Sequence, residues 1–209
     1  MNIIYLHGFA SGPGSKKAQY FARQFAGEGV HVDVPDLAEG RFETLTLTGQ
    51  LRVMEKTAAG RNVSLIGSSL GGYLAALYAA RHAAQVERVV LLAPGFGFAQ
   101  RWPVSLGEEK VRQWQREGVL PFFHYGAGRE MLLRYDLIRD GEQYEAYPDV
   151  QQPCLIFHGV NDAVVPVEWS REFAAGKPNV ELHEEESDHE LLNILEPMWR
   201  RSREFLIRP

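Results

Sequence analysis

The chain alternates short apolar runs with segments whose apolar residues recur at helical spacing. The apolar runs cover residues 3–6, 30–34, 63–67, 89–93, 155–158 and 180–183. Several of them are continuous rather than alternating in polarity, which is typical of strands buried on both faces of a sheet. Strands that alternate with helices along a chain usually form a parallel sheet covered by those helices. The pattern therefore predicts an α/β fold.

Helical spacing of apolar residues is clearest over residues 18–25, 47–54 and 70–80. Ser15 precedes the first segment and is a favoured N-cap, because its hydroxyl accepts from free backbone N–H groups. The third segment is apolar on nearly every side, which is typical of a deeply buried helix. Together these features predict a central, mostly parallel sheet with helices on both faces.

Residues 99–149 interrupt this alternation and are rich in aromatic side chains. Within them the pattern predicts a short helix over 107–118 and a hairpin over 120–135. Loops of this length usually carry a function or a structure of their own. We therefore expect a core of residues 1–98 and 150–209, with the insertion forming a cap over the sheet edge. The alternative is an ordinary extra packing layer.

Composition and charge narrow the class of protein. The chain has 209 residues, a formal net charge of −5, 45% hydrophobic residues and 23% charged residues. These values are typical of a globular domain, and the mild acidity argues against a nucleic-acid or anionic-membrane binder. One cysteine allows no intrachain disulfide, and no apolar run approaches the roughly 18 residues of a membrane span. We expect a cytoplasmic protein.

The strongest chemical motif is Gly67-Ser68-Ser69-Leu70-Gly71, which fits G-x-S-x-G. It lies between a predicted strand and the buried helix, where this motif forms a sharp turn that exposes its central hydroxyl. The glycines allow the strand and helix to approach closely at that turn. Ser69 is therefore the candidate nucleophile, and the alternative is a glycine-rich turn without chemistry.

A serine hydroxyl needs a base to remove its proton, and partners are expected in the order Ser, Asp, His. Asp162 follows the predicted strand 155–158, and His189 follows the last predicted strand. Asp162 would fix the imidazole tautomer and stabilise its charged form. Asp36 and Asp188 are weaker rivals for the acid, since Asp188 adjoins the histidine in sequence. The alternatives are a surface histidine and a helix-capping aspartate.

Acyl transfer also needs N–H donors for the developing oxyanion. The N–H of Leu70 lies directly after the candidate nucleophile, at a helix N-terminus where free N–H groups point outward. The loop after the first strand supplies a second donor, and we favour the N–H of Phe9, with Gly8 allowing a tight turn. We expect His7 to brace this loop rather than to act as a second base.

Two weaker signals predict no binding site. Residues 12–17 contain glycine and lysine but lack the G-K-[ST] of a phosphate-binding loop. The acidic stretch of residues 183–189 fits no standard zinc spacing. We therefore expect neither a metal nor a cofactor.

The motifs L-H-G-F, G-S-S-L-G-G, H-G-x-N-D-x-x-V-P and S-D-H resemble the α/β-hydrolase superfamily. The opening Y-L-H-G-F-A-S-G-P-G-S-K-K-A resembles the small bacterial esterases of the YqiA/YcfP type. The resemblance implies an α/β-hydrolase fold with an inserted lid, and ester or thioester hydrolysis by Ser69, His189 and Asp162. It also implies oxyanion donation by Phe9 and Leu70. The aromatic insertion matches no particular lid.

The sequence thus predicts a carboxylic-ester hydrolase that forms an acyl-enzyme and acts on small, short-chain esters. We expect neither a nucleic-acid partner nor a membrane span. We expect Trp102, Phe122 and Phe123 of the insertion to line the acyl site. The same catalytic residues also serve thioesterases and peptidases, so these remain alternatives. A ligand-binding protein on a hydrolase scaffold is a further alternative.

Overall fold

A computed structural model describes residues 1–207. Six strands form one sheet in the order β2-β1-β3-β4-β7-β8, and every neighbouring pair runs parallel. Two further strands pair separately as an antiparallel hairpin. The strands are β1 (Ile3–Leu6), β2 (Val32–Asp33), β3 (Val63–Ser68), β4 (Val86–Leu92), β5 (Val119–His124), β6 (Arg129–Arg134), β7 (Cys154–Gly159) and β8 (Val180–Glu185).

The helices cover both faces of the six-stranded sheet, as the alternating pattern predicts. They are α1 (Lys16–Gly27), α2 (Leu47–Ala58), α3 (Leu70–Arg81), α4 (Phe98–Leu106), α5 (Glu108–Glu117), α6 (Asp136–Gly141), α7 (Glu168–Ala174) and α8 (Leu195–Leu206). Apolar side chains of α1 and α8 pack against one face, while α2 and α3 contribute to the core on the other face. No helix among residues 1–207 is both long and apolar enough to cross a bilayer.

Local signals in the sequence account for the element boundaries. Ser15 caps α1 through a hydrogen bond from the N–H of Ala18 to its hydroxyl, at 3.4 Å. Helix α3 is buried along almost its whole length, which agrees with its nearly continuous apolar sequence. The predicted strand at 30–34 is only two residues long in the structure, where it pairs with β1 as an outer strand of the sheet. Cys154, the single cysteine, opens β7 and is buried.

The segment between β4 and β7 folds as two helices, the hairpin β5–β6 and the short helix α6. The predicted helix over 107–118 is α5, and the predicted hairpin over 120–135 is β5–β6, so both expectations are confirmed. Trp114 is fully buried and donates from its indole nitrogen to the carbonyl of Leu133, at 2.8 Å. At the hairpin tip, the N–H of Tyr125 donates to the carbonyl of Ala10, at 2.7 Å. The hairpin therefore contacts the loop after β1.

Candidate active site

Ser69 lies at the sharp turn between β3 and α3. Its backbone has φ 54° and ψ −120°, a conformation that costs strain in any residue with a side chain. A Cβ atom on Gly67 would overlap the backbone of Gly71, and one on Gly71 would overlap the backbone of Leu6. The two glycines therefore allow the close packing of strand and helix that holds this turn.

A continuous chain of hydrogen bonds joins Ser69, His189 and Asp162. The Nε2 of His189 is 3.0 Å from the Ser69 hydroxyl, and its Nδ1 is 2.7 Å from Oδ2 of Asp162. The carboxylate only accepts, so Nδ1 carries the hydrogen and Nε2 presents its lone pair to the serine. The carboxylate is fully buried, while 21% of the histidine side chain is exposed.

Asp162 is held in its ionised form by the groups around it. Its Oδ1 accepts from the N–H groups of Val164 and Val165, each at 2.8 Å. Burial alone would raise its pKa, but hydrogen bonds from His158, His189 and the Val165 N–H outweigh burial and hold the pKa well below its ordinary value. The carboxylate therefore keeps its negative charge beside the imidazole.

His158 belongs to the candidate site, although the sequence alone did not indicate a role for it. It is fully buried, and its Nε2 lies 2.8 Å from the carbonyl of Val165 and 3.3 Å from Oδ2 of Asp162. Both neighbours only accept, so Nε2 carries the hydrogen, and the hydroxyl of Ser170 donates to Nδ1 at 2.7 Å. The signal for this role was the histidine of the H-G-V-N-D motif, four positions before the aspartate.

The two rival aspartates accept hydrogen bonds from backbone N–H groups of their own loops. Asp36 accepts from the N–H groups of Ala38 and Gly40, and the carboxylate of Asp188 accepts from the N–H groups of two following residues. His7 accepts the N–H of Leu37 at 3.2 Å, and burial lowers its pKa. These contacts agree with a bracing role for His7 and leave Asp162 as the carboxylate bonded to His189.

The two candidate oxyanion donors come from adjacent loops at one sheet edge. Strands β1 and β3 are parallel neighbours with Leu6 paired to Gly67, so their following loops leave the sheet side by side. Leu70 begins α3 directly after Ser69. In the other loop, a Cβ on Gly8 would lie 3.3 Å from the Cβ of Ser69, so Phe9 follows a residue in close contact with the serine.

The aromatic ring of Phe9 packs into a cluster from the inserted segment. Its centroid lies 4.8 Å from that of Trp102 and 6.1 Å from that of Phe122. Phe123 does not join this cluster: its side chain is exposed and contacts Tyr125. Successive residues of a strand point to opposite faces, so Phe122 and Phe123 of β5 are separated. The structure therefore places Phe122, but not Phe123, in the aromatic cluster around Phe9.

The order Ser, Asp, His along the chain and the serine at a strand–helix turn define a class, the α/β-hydrolases. The solved structure of mouse alpha/beta hydrolase domain-containing protein 10 has the same fold, with a TM-score of 0.81 and 19% identity over 98% of this chain and 89% of that one. Within the class, the chain belongs to the family described as Uncharacterised protein family (UPF0227), whose model matches residues 2–205. The predicted resemblance is thereby confirmed.

Two curated relatives are similar over most of their length. One is a 2-hydroxy-6-oxononadienedioate/2-hydroxy-6-oxononatrienedioate hydrolase from Paraburkholderia phymatum, 25% identical, with 87% of this chain and 77% of the relative covered. The other is a pimeloyl-[acyl-carrier protein] methyl ester esterase from Chromobacterium violaceum, 24% identical, with 88% and 84% covered. The family and these relatives assign the chain to the hydrolases of the α/β class.

Proposed function

We propose that this protein is a serine hydrolase of carboxylic esters with Ser69 as nucleophile. The observation that carries the proposal is the hydrogen-bonded chain from Asp162 through His189 to Ser69, with links of 2.7 and 3.0 Å. Nucleophile, base and orienting acid then lie within the distances that acyl transfer requires. One of the two relatives is named as a methyl ester esterase, which favours an ester as the substrate.

The geometry suggests the course of the reaction. Nε2 of His189 takes the hydroxyl proton as Ser69 attacks the acyl carbon, and the buried carboxylate of Asp162 stabilises the imidazolium. The oxyanion binds the N–H groups of Leu70 and Phe9. The imidazolium then protonates the leaving alcohol, and the same histidine activates the water that hydrolyses the acyl-enzyme. No step requires a metal or a cofactor.

We further propose that residues 99–149 form a cap that restricts the acyl group to short chains. Parallel sheets bind ligands at the carboxyl ends of their strands, and Phe9 lies in the loop at this end of β1. The rings of Trp102 and Phe122 pack against Phe9, whose neighbour Gly8 lies against Ser69, and we propose this cluster as the apolar wall for the acyl group. An insertion of this size covers only a small pocket, so we expect short acyl chains to be preferred over long lipid chains.

A fluorophosphonate probe tests the nucleophile, because only an activated serine reacts with it. We expect stoichiometric labelling at Ser69, located by peptide mass spectrometry, and none in Ser69→Ala. The neighbouring Ser68→Ala is the matched control and is expected to label normally. A panel of acyl esters and acyl-thioesters of graded length then tests the substrate class. Failure to label, or labelling that persists in Ser69→Ala, would contradict the proposal.

A ligand-binding protein on a hydrolase scaffold would bind esters without turning them over. We expect multiple turnovers of a short ester such as the acetate, with a rate that falls as the acyl chain lengthens. Faster hydrolysis of the matched thioesters would instead identify a thioesterase, and cleavage of amides would identify a peptidase.

A further inference from the structure

The first turn of α1 carries two positive side chains, whereas helix N-termini favour negative charge. Lys16 and Lys17 stand where backbone N–H groups give the helix a partial positive charge, and the turn contains no acidic residue. The two side chains have different surroundings: Lys16 is exposed, whereas Lys17 is partly buried. A partly buried cation at a helix N-terminus is unfavourable, so a compensating interaction is expected elsewhere.

Lys17 interacts with residues of the candidate active site. Its ammonium donates to the backbone carbonyl of His189, at 3.4 Å and 172 positions along the chain. The carboxylates that attract it are Asp162, from the loop after β7, and Asp188 and Glu190, which flank the histidine. Lys17 therefore connects α1 to the loop that carries the proposed base.

The charge state of Lys17 is finely balanced. Burial lowers its pKa from the ordinary value to about 8, even though Glu190, Asp162 and Asp188 act in the opposite direction. The side chain is therefore mostly an ammonium at neutral pH and becomes an uncharged amine in mildly alkaline solution. Its attraction to the three carboxylates is lost over the same pH interval.

We propose, on the basis of the proposed function, that Lys17 is a positioning residue for His189. Its ammonium holds the loop of residues 187–191 against α1, so that the imidazole stays directed at Ser69. Helix α1 also follows directly on the loop that contains Phe9. The lysine thus ties the histidine loop to the segment that bears a proposed oxyanion donor.

Lys17→Met tests this role because methionine keeps the apolar part of the side chain and removes the charge. We expect kcat/KM for a short ester to fall roughly tenfold at pH 7, the size of one charge-assisted hydrogen bond. Lys16→Met, one position earlier and exposed, is the matched control and is expected to retain full activity. Circular dichroism should show both variants folded.

Thermal unfolding separates positioning from a structural role. Since burial disfavours the ammonium, Lys17→Met is expected to unfold at an equal or higher Tm than the unaltered protein at pH 7. Reduced activity with unreduced stability would support positioning. A clear drop in Tm together with the loss of activity would overturn it, because Lys17 would then be a structural residue.

The pH profile gives a second, independent readout. In the unaltered protein we expect kcat/KM to fall as the pH rises above about 8, when Lys17 loses its proton. Lys17→Arg keeps its charge at that pH, so its decline should move to higher pH. Lys17→Met should lack this decline and stay at its lower rate.

The outcomes distinguish this role from the proposed function. If the unaltered protein is active but Lys17→Met has the same kcat/KM as Lys16→Met, only the role of Lys17 is overturned. An alkaline decline of kcat/KM that is identical in the unaltered protein, Lys17→Arg and Lys17→Met would overturn it as well. If the unaltered protein neither hydrolyses esters nor labels at Ser69, the proposed function fails and the role of Lys17 fails with it.

Discussion

At the scale of residues, the buried carboxylate of Asp162 bonds to two different parts of the structure, a backbone turn and two imidazoles. Its Oδ1 closes the turn before α7 through two backbone N–H groups, and its Oδ2 contacts the imidazoles of His158 and His189. Removing the charge should therefore affect activity and stability together. Asp162→Asn keeps the size of the side chain, so its effects report on charge and hydrogen bonding rather than on packing.

We expect Asp162→Asn to lower kcat by about 10⁴-fold, because the amide favours the wrong imidazole tautomer. Its effect on stability should depend on pH. The native pKa of Asp162 is depressed, so its contribution is fully present above the unfolded value of about 4 and is lost as the pH falls below it. The difference in Tm between the two proteins should therefore shrink in acid. A difference that stays constant to pH 3 would contradict this.

The backbone of Ser69 gives a second prediction at the same scale. Its φ of 54° is unfavourable for alanine as much as for serine, whereas glycine adopts it freely. Ser69→Ala and Ser69→Gly should both be inactive. Ser69→Gly should be the more stable of the two by about 1 kcal/mol, measured by denaturant unfolding. If Ser69→Ala were equally stable, the turn would not be strained.

At the scale of elements, the hairpin β5–β6 has two different faces. Phe122 packs against Phe9, Trp102 and Trp114, while Phe123 is exposed on the opposite face. The pair therefore offers a large and a small perturbation at adjacent positions of one strand. The inner face of the hairpin contacts Phe9, the residue whose N–H we propose as an oxyanion donor, whereas Phe123 on the outer face contacts Tyr125.

Phe122→Ala should change the ratio of kcat/KM between short and medium esters by a factor that corresponds to roughly 1–3 kcal/mol, since it removes one apolar contact. Phe123→Ala is its matched control and should leave the ratio unchanged. The ratio is measured with acetate and hexanoate esters, alongside Tm. If Phe122→Ala lowered Tm without moving the ratio, the cluster would be the insertion's own core and the cap would not select the acyl chain.

The sequence predicts the elements well because hydrophobic periodicity is local. It predicted the strands, the hairpin and the order of Ser69, Asp162 and His189, since each depends on residues near in sequence or on motif order. It did not indicate that Phe122 rather than Phe123 packs against Phe9, because two adjacent aromatics give no sign of which one faces inward. The contact between Lys17 and His189 depends on how α1 meets the loop after β8, which no local pattern encodes.

At the scale of the whole molecule, the candidate site lies at the carboxyl ends of the parallel strands. The residues involved come from the loops after β1, β3, β7 and β8, four strands that the chain visits far apart in sequence. Parallel strands bring their carboxyl ends to one edge, so residues from all four loops meet there. The insertion after β4 lies between these loops in sequence and packs on the first of them through Tyr125 and Ala10.

The single cysteine has a practical consequence. Burial raises the pKa of the Cys154 thiol to about 12, so the native protein should react with thiol reagents only as fast as it unfolds. A maleimide dye should therefore leave the native chain unlabelled and label it fully in denaturant. Tyr125, at the hairpin tip, is 75% exposed, so Tyr125→Cys would accept one dye at a chosen position. The fluorescence of that dye would then follow the hairpin during substrate turnover, with no other label in the molecule.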